Sequence, residues 1–323
     1  MSRFSKRFHA QDGAEYILVD KDPAAGIGTI TLARPEKLNA LTVEMREYLN
    51  ESLWRLEVDD DVRVVILKAQ GRAFTAGHDL AEERTWNKRP PGKKRIGMTE
   101  NTMYFQDILG GKVGYASSLR HFSKVLIGQV NGFAFGGGFS MVACACDILV
   151  IAEEASVGSP QVRFTGLGSG PWQSVGYRAG KWIGSSGEPM TGALAHELGL
   201  AYVTCPRTQL EETTLQLAAE IAQRTLNDVL FLKARFNAAE ALMGRGRSGE
   251  GGGGFTQRPD EDEPNFWRTV GEQGLKAGLD KAYSAAPRVN KVLANSELPQ
   301  FQAGGAGREH TAEERMRDRP RDR

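Results

Sequence analysis

The chain is predicted to fold as an α/β protein with a largely parallel, buried sheet, followed by a region of helices alone. Three observations carry this. Strand-like runs alternate with helical ones up to about residue 205, which is the pattern of βαβ units with right-handed crossovers. Two of the strands run into bends rich in small residues that open into helices, "GRAFTAGHDL" (71–80) and "NGFAFGGGFS" (131–140). From about Pro206 onward only helical patterns remain.

The elements follow in order. "YILVDKD" (16–22) and "GIGTITLAR" (26–34) are β-rich runs separated by a Pro- and Gly-bearing turn, a hairpin signature. "TVEMREYLNESLWRLEVDDD" (42–61) places Met45, Leu49, Leu53 and Leu56 at helical spacing behind Thr42, a good N-cap. "VRVVILKAQ" (62–70) is continuous enough in Val, Ile and Leu to be a strand buried on both faces. "KVLIGQVNG" (124–132) and "DILVIAEE" (147–154) read the same way. Between these last two, three consecutive glycines, Gly136, Gly137 and Gly138, lead into an apolar run that reads as a buried helix. "QLEETTLQLAAEIAQRT" (209–225) and "NDVLFLKARFNAAEALM" (227–243) are helices.

Composition excludes several classes. Lys and Arg number 41 against 40 acidic residues in 323, so no net field draws the chain to nucleic acid or to an anionic membrane. No apolar run approaches the roughly 18 residues of a membrane helix. "MSRFSKRFHAQDG" has basic residues without an apolar stretch behind them and is not read as a secretory signal. Cys144, Cys146 and Cys205 are an odd count without metal-ligand pairing, so small buried thiols, a reducing cytoplasmic setting and no metal are expected. Composition also predicts a flexible N-terminus (1–12), a basic loop (84–97), a low-complexity insert (244–264) and a disordered tail (297–323). The α/β core is expected over 13–205 and the helical region over 206–296. A phosphate-binding loop, a dinucleotide fingerprint, a G-x-S-x-G elbow and an H-E-x-x-H helix are all missing.

The two glycine bends carry the chemistry. Each is a strand–turn–helix junction, which exposes main-chain N–H groups at a helix start. Without Cβ the chain can bend sharply and a ligand oxygen can come close to the backbone. Two such junctions facing one another would form an oxyanion hole, which stabilises charge developing on a carbonyl oxygen.

The segments "GIGTITLARPEKLNALTVEM", "AFTAGHDL", "KVLIGQVNGFAFGGGFSMVACACD", "EEASVGSPQVRFTGL", "MTGALAHELGLAYV" and "GEQGLKAGL" together resemble the crotonase superfamily, the enoyl-CoA hydratase/isomerase family. The resemblance implies a spiral of ββα units with a helical C-terminal trimerisation region. It also implies a homotrimer or hexamer, and acyl-CoA thioester substrates that bring coenzyme A with them, so that no separate cofactor is required. It places the oxyanion donors on the backbone N–H groups of His78 and Gly137. Ala76 and Gly136 beside them are taken as substrate contacts, with Phe164 and Trp172 as pocket candidates and Arg72 as a candidate for a coenzyme phosphate.

Two positions depart from the family. The resemblance calls for a glutamate two residues after the glycine triple and another after the proline of a G-x-P-E segment; here they are Ser140 and Gln161. A hydroxyl is too weak an acid, and an amide does not titrate, so neither is a base near neutral pH. Ser in "FGGGFS" resembles the hydroxycinnamoyl-CoA hydratase-lyase branch, which keeps the second glutamate. Asp79 reads as the cap of the helix it starts, Glu82 and Glu83 as solvated helix charges, and His121 and His196 as ordinary helix residues. Ser117 and Ser169 stand near positions that some relatives use, and Met98 and Tyr104 near the pocket expected for the acyl group. Three readings remain: an acyl-CoA enzyme (hydratase, isomerase, lyase or hydrolase) with atypical acid–base groups, a non-catalytic acyl-CoA binder, and a trimeric interaction module.

Overall fold

Asp22 begins the first turn of the chain by accepting from the backbone N–H groups of Ala24 and Ala25 (3.0 and 3.1 Å), an Asx turn that folds the strands on either side into a hairpin. β1 (Ile17–Asp22) and β2 (Ile27–Leu32) pair antiparallel, from Ile17 opposite Leu32 to Asp22 opposite Ile27. The structure is a computed structural model and describes residues 15–79, 115–160 and 175–242, with 269, 272–274, 276, 277 and 280 beyond them. The expectations for 1–12, 84–97, 244–264 and 297–323 lie outside the described residues. The chain divides into two compact units, Met1–Val162 with Leu167–Gln257 and Arg163–Gly166 with Arg258–Arg323. Every strand and helix named below belongs to the first. Of the second, Thr269, Glu272, Gln273, Lys276, Ala277 and Asp280 are helical.

After the hairpin comes α1 (Val43–Glu57), capped as expected: the Thr42 side chain accepts from the Met45 N–H at 3.2 Å. Its stripe Met45, Leu49, Leu53 and Leu56 is buried. The chain then enters β3 (Val64–Ala69), crosses three residues, and forms β4 (Ala73–Thr75). The same step recurs twice more. After α2 (Tyr115–His121), β5 (Val125–Val130) is followed by β6 (Phe133–Phe135). After α3 (Gly137–Ser140) and a π-type stretch (Met141–Ala145), β7 (Ile148–Ala152) is followed by β8 (Ser156–Gly158). The long strands join one sheet and the short ones another, so every repeat adds a strand to each. The large sheet runs β1-β2-β3-β5-β7-β10, with β10 at Val203–Cys205, and the small one β4-β6-β8-β9, with β9 at Met190–Thr191. From β2 through β10 the large sheet is parallel. All six residues of β5 are buried, as a strand covered on both faces requires. The expected α/β class and ββα spiral are what is found.

Two features went beyond the sequence reading. The short strands carry too few residues to show a period of two. The apolar run after the glycines is one α-turn and then a π turn, closed by the Cys146 N–H on the Met141 carbonyl at 3.1 Å. The helix expected there is therefore wound more widely, in a rare form that is frequent at functional sites. Thiol burial is mixed: Cys205 is buried, Cys144 and Cys146 are half-buried, and none is in a disulfide.

α4 (Tyr177–Ser186) and α5 (Gly192–Glu197) lead to the helices after Pro206. α6 (Leu210–Ala222) lays Leu210, Thr214, Ala218 and Ala222 into the interior, one face at steps of four. α7 (Leu226–Leu242) is tied down by a buried lysine and, near its end, by Glu240 on Arg120 of α2 at 3.5 Å. Lys233, 7% exposed, donates to the Lys124 carbonyl and to Asp147 Oδ2, both at 2.7 Å. The same Asp147 oxygen accepts from the Leu126 N–H at 2.7 Å. Burial raises the Asp147 carboxyl pKa, and Lys233 opposes that rise. Lys233→Met removes the compensation while keeping the apolar stem. The expected loss is about 1–3 kcal/mol of unfolding free energy, read by urea denaturation as a lower midpoint at unchanged slope.

Candidate active site

The first glycine bend is held by the segment before α1. Leu38 and Asn39 both have left-handed backbone (φ 52 and 53), a conformation that Asn tolerates and Leu rarely adopts. The Asn39 side chain is wholly buried and fully used. Its Oδ1 accepts from the Arg34 N–H (2.7 Å), and its Nδ2 donates to the carbonyls of Gln70 (2.9 Å) and Ala73 (2.8 Å), just before and within β4. Main-chain bonds then lace 38–41 to 76–79. Ala76 N–H donates to Leu38 O (2.9 Å), Leu41 N–H to Gly77 O (2.8 Å) and Asp79 N–H to Leu41 O (3.0 Å). Arg34 Nη1 closes the frame on Asp79 Oδ2 at 2.7 Å and on the Ala40 carbonyl at 3.0 Å. The helix that Asp79 is expected to cap lies outside the described residues; its carboxylate also pairs with Arg34.

The second bend is aligned on the first by sheet pairing. β4 and β6 run parallel with Ala73 opposite Phe133 and Thr75 opposite Ala134. Asn131 Nδ2 donates across to the carbonyls of Ala69 (3.1 Å) and Gly71 (2.8 Å), so the turns entering the two short strands are tied as well. The chains leaving them are consequently side by side. Gly77 has φ +95, and a Cβ there would stand 2.7 Å from the Phe135 carbonyl oxygen and 3.3 Å from the Gly137 nitrogen. A Cβ at Gly138 would stand 2.4 Å from Thr75 Cγ2 and 2.9 Å from the Thr75 carbonyl oxygen. Glycine is required at both positions because backbone touches backbone. The two junctions do face each other, and the turn carrying His78 lies against the first residue of α3, Gly137.

The remaining expected residues fall around this point or outside the described part. Ser140 ends α3, half-buried; its N–H and its hydroxyl both donate to the Gly136 carbonyl, at 3.0 and 3.3 Å. Gly136 in turn donates its N–H to the Gly158 carbonyl at 3.1 Å, which brings the start of "GSPQV" to the same bend. Ala76 is exposed, and His78 and Gly136 are half-exposed. Arg72 is exposed with its guanidinium 6.0 Å from the centre of the Phe133 ring. His121 is exposed at the end of α2, and the His196 ring lies 3.0 Å from the Ala201 carbonyl. Gln161, Phe164, Ser169, Trp172, Glu82, Glu83, Met98 and Tyr104, and the Ser117 side chain, lie outside the described residues. Burial pushes the Cys146 thiol pKa well up, so this group stays protonated. Among the described residues no three His, Cys, Asp or Glu side chains gather to hold a metal ion, and no helix is long and apolar enough to cross a membrane. Sequence reasoning missed Asn39, Arg34 and Thr75; the usable signal was a lone Asn inside the apolar run of "KLNAL".

Two sheets grown by ββα repeats, with paired glycine bends leaving the neighbouring strands β4 and β6, make up the scaffold of the candidate site. The family is plain from comparison. A family model described as enoyl-CoA hydratase/isomerase matches residues 22–247. The chain is 31% identical over 217 residues to the hydroxycinnamoyl-CoA hydratase-lyase of Pseudomonas fluorescens, covering 62% of this chain and 70% of that one. It is 30% identical over 224 residues to the 1,2-epoxyphenylacetyl-CoA isomerase of Escherichia coli (strain K12), covering 67% and 80%. In fold it is similar to the crystal structure of an enoyl-CoA hydratase/isomerase from Xanthobacter autotrophicus Py2, with a TM-score of 0.72 at 23% identity, over 83% of this chain and 97% of that one. The chain belongs to the enoyl-CoA hydratase/isomerase family, and its fold is the crotonase fold.

The close approach at Gly77 can be tested against a glycine with similar backbone but open surroundings. Gly199 has φ +78, and a Cβ added there would meet nothing within 4 Å. Gly199→Ala is expected to cost about 1 kcal/mol, the left-handed penalty alone. Gly77→Ala adds a collision with backbone and is expected to cost about 2–4 kcal/mol. Thermal unfolding of the two variants side by side reads the difference.

Proposed function

We propose that the chain acts on an acyl-CoA thioester, holding the thioester oxygen on the main-chain N–H groups of His78 and Gly137. The observation that carries this is the contact between the Gly77 turn and Gly137, where a Cβ on Gly77 would lie 3.3 Å from the Gly137 nitrogen. When the α-carbon loses a proton, or a nucleophile adds to the β-carbon, charge moves onto that oxygen as an enolate. Donors fixed in advance stabilise that charge without reorganising, and losing one typically costs about 100- to 1,000-fold in rate. Coenzyme A enters as part of the substrate, with no further cofactor in this reading. Arg72, Ala76, Gly136, Phe164 and Trp172 are proposed to contact it. Relatives named as a hydratase-lyase and an isomerase support a CoA ester as the substrate. Three cysteines outside any disulfide fit a reducing compartment such as the cytoplasm.

Ser140 and Gln161 set the reaction apart from ordinary hydration. The Ser140 hydroxyl, donating back to Gly136, favours a positioning role for a polar substrate group or a water over a base. It equally favours the second reading, a protein that binds the thioester without turning it over. Incubation with a panel of acyl-CoA esters, read by mass spectrometry, separates the two: a gain of one water, release of CoA or an isomer of equal mass each names a reaction, and binding with no product supports the second.

Crotonyl-CoA hydration by the natural protein is expected to be negligible, since positioned acid–base groups contribute about 100- to 10,000-fold each. Ser140→Glu combined with Gln161→Glu is expected to raise hydration measurably above that baseline, though not to full rate, because two carboxylates in one pocket raise one pKa. Rapid hydration by the unmodified protein overturns this assignment.

Association is proposed on the helices after Pro206, as a homotrimer or a dimer of trimers. α7 presents Phe231, Leu232 and Phe236 to solvent, at 66%, 56% and 63% exposure, an apolar patch of the kind that marks an interface. Sedimentation at micromolar concentration is expected to show the trimer or hexamer, and Phe231→Asp with Phe236→Asp to show the monomer.

A further inference from the structure

We infer that Thr75 is a positioning residue for the oxyanion hole, the side chain through which the two glycine bends are held at a set distance. This rests on the reading of those bends given under Proposed function. Thr75 ends β4, is fully buried, and uses each of its groups in a different direction. Its hydroxyl donates to the Asn39 carbonyl at 2.6 Å and accepts from the Gly77 N–H at 3.1 Å. Its methyl carbon Cγ2 fills the place where Gly138 would otherwise carry a Cβ, 2.4 Å away.

The hydroxyl therefore acts on the first bend and the methyl on the second. Gly77 immediately precedes His78, so the hydrogen bond to its N–H fixes the plane of the peptide unit from which the His78 N–H follows. Gly138 immediately follows Gly137 in α3, so contact at Gly138 sets how near that first helical turn can come. Asn39, satisfied by three hydrogen bonds of its own, supplies a rigid acceptor for the hydroxyl. Serine would keep only the hydroxyl, valine only the two branches, and alanine neither. Threonine alone supplies both in a residue of this size.

Donors that are misplaced by a fraction of an ångström lose transition-state stabilisation while still allowing the ester to bind, so the effect belongs in kcat. Thr75→Val is expected to lower kcat by about 10- to 100-fold, the equivalent of one hydrogen bond to a buried amide. KM for the best ester in the panel should stay within about 3-fold, and Thr75→Ser should recover the part of the lost kcat that the hydroxyl supplies, leaving it between Thr75→Val and the natural protein. Amide hydrogen exchange supplies a readout that needs no turnover. The Gly77 N–H in Thr75→Val should exchange about 10-fold or more faster than in the natural protein and in Thr75→Ser. The amides of Ile66 and Leu126, in the middle of the large sheet, should be unchanged in all three.

A Thr75→Val enzyme with natural kcat, or with unchanged exchange at Gly77, overturns the inference; so does a loss spread equally over Gly77, Ile66 and Leu126. If the natural protein turns over no ester, the functional reading fails. The exchange comparison then decides the role of Thr75 alone, acceleration at Gly77 supporting the tether and its absence refuting it. Should Thr75→Val not fold, Thr75→Ala carries the same comparison.

Discussion

The carboxamide of Asn39 is the point on which the bend depends. A buried amide left unpaired is costly, and one that is fully paired becomes a rigid fixture in low dielectric. Here its three bonds reach Arg34 before it, and Gln70 and Ala73 on the chain leaving β3. They also explain how two consecutive left-handed residues, Leu38 and Asn39, persist in a strained region of backbone space. The strain is offset by bonds that no relaxed conformation of 38–41 could make. From this fixture outward, the order of dependence is the Thr75 hydroxyl, the Gly77 N–H, and then the contact with α3.

Sheet register does for the second bend what Asn39 does for the first. Because β4, β6 and β8 pair in parallel and each follows a long strand within two or three residues, successive repeats deliver chain ends to neighbouring positions. A repeat that places one bend beside the next turns two weak features into one site. The glycines then follow from packing: an added Cβ would lie within 3.0 Å of backbone at Gly77, Gly138, Gly158 and Gly192, and also at Gly132, where a Cβ would meet Arg72 O at 2.0 Å. At these five positions glycine is present because main chain crosses main chain.

The fold was legible in the sequence wherever the signal was long. The stripe of α1, the continuous β3, β5 and β7 and the two helices after Pro206 each extend over enough residues for periodicity or uninterrupted apolarity to appear. The small sheet was not, because two- and three-residue strands have no pattern and are defined by partners far away in sequence. The same distinction applies to the site. Glycine bends carry a local signature, so Gly137 and the turn at His78 were found. Asn39 and Thr75 act through contacts 34 and 36 residues apart, which no local spacing reveals. The π turn after Ser140 was hidden for another reason: apolar residues at helical spacing look alike in α and π winding.

The outer strand of the hairpin has a further consequence. Among the described residues β1 is the outer strand of the large sheet, and after Ile17 every residue of it is exposed, Leu18 and Val19 followed by Asp20, Lys21 and Asp22. Charges on such a margin discourage a foreign strand from docking there. At the opposite margin β10 offers only three residues for a template. For a protein this rich in buried parallel strand, charge on one border and brevity on the other both work against ribbon-like aggregation while it folds.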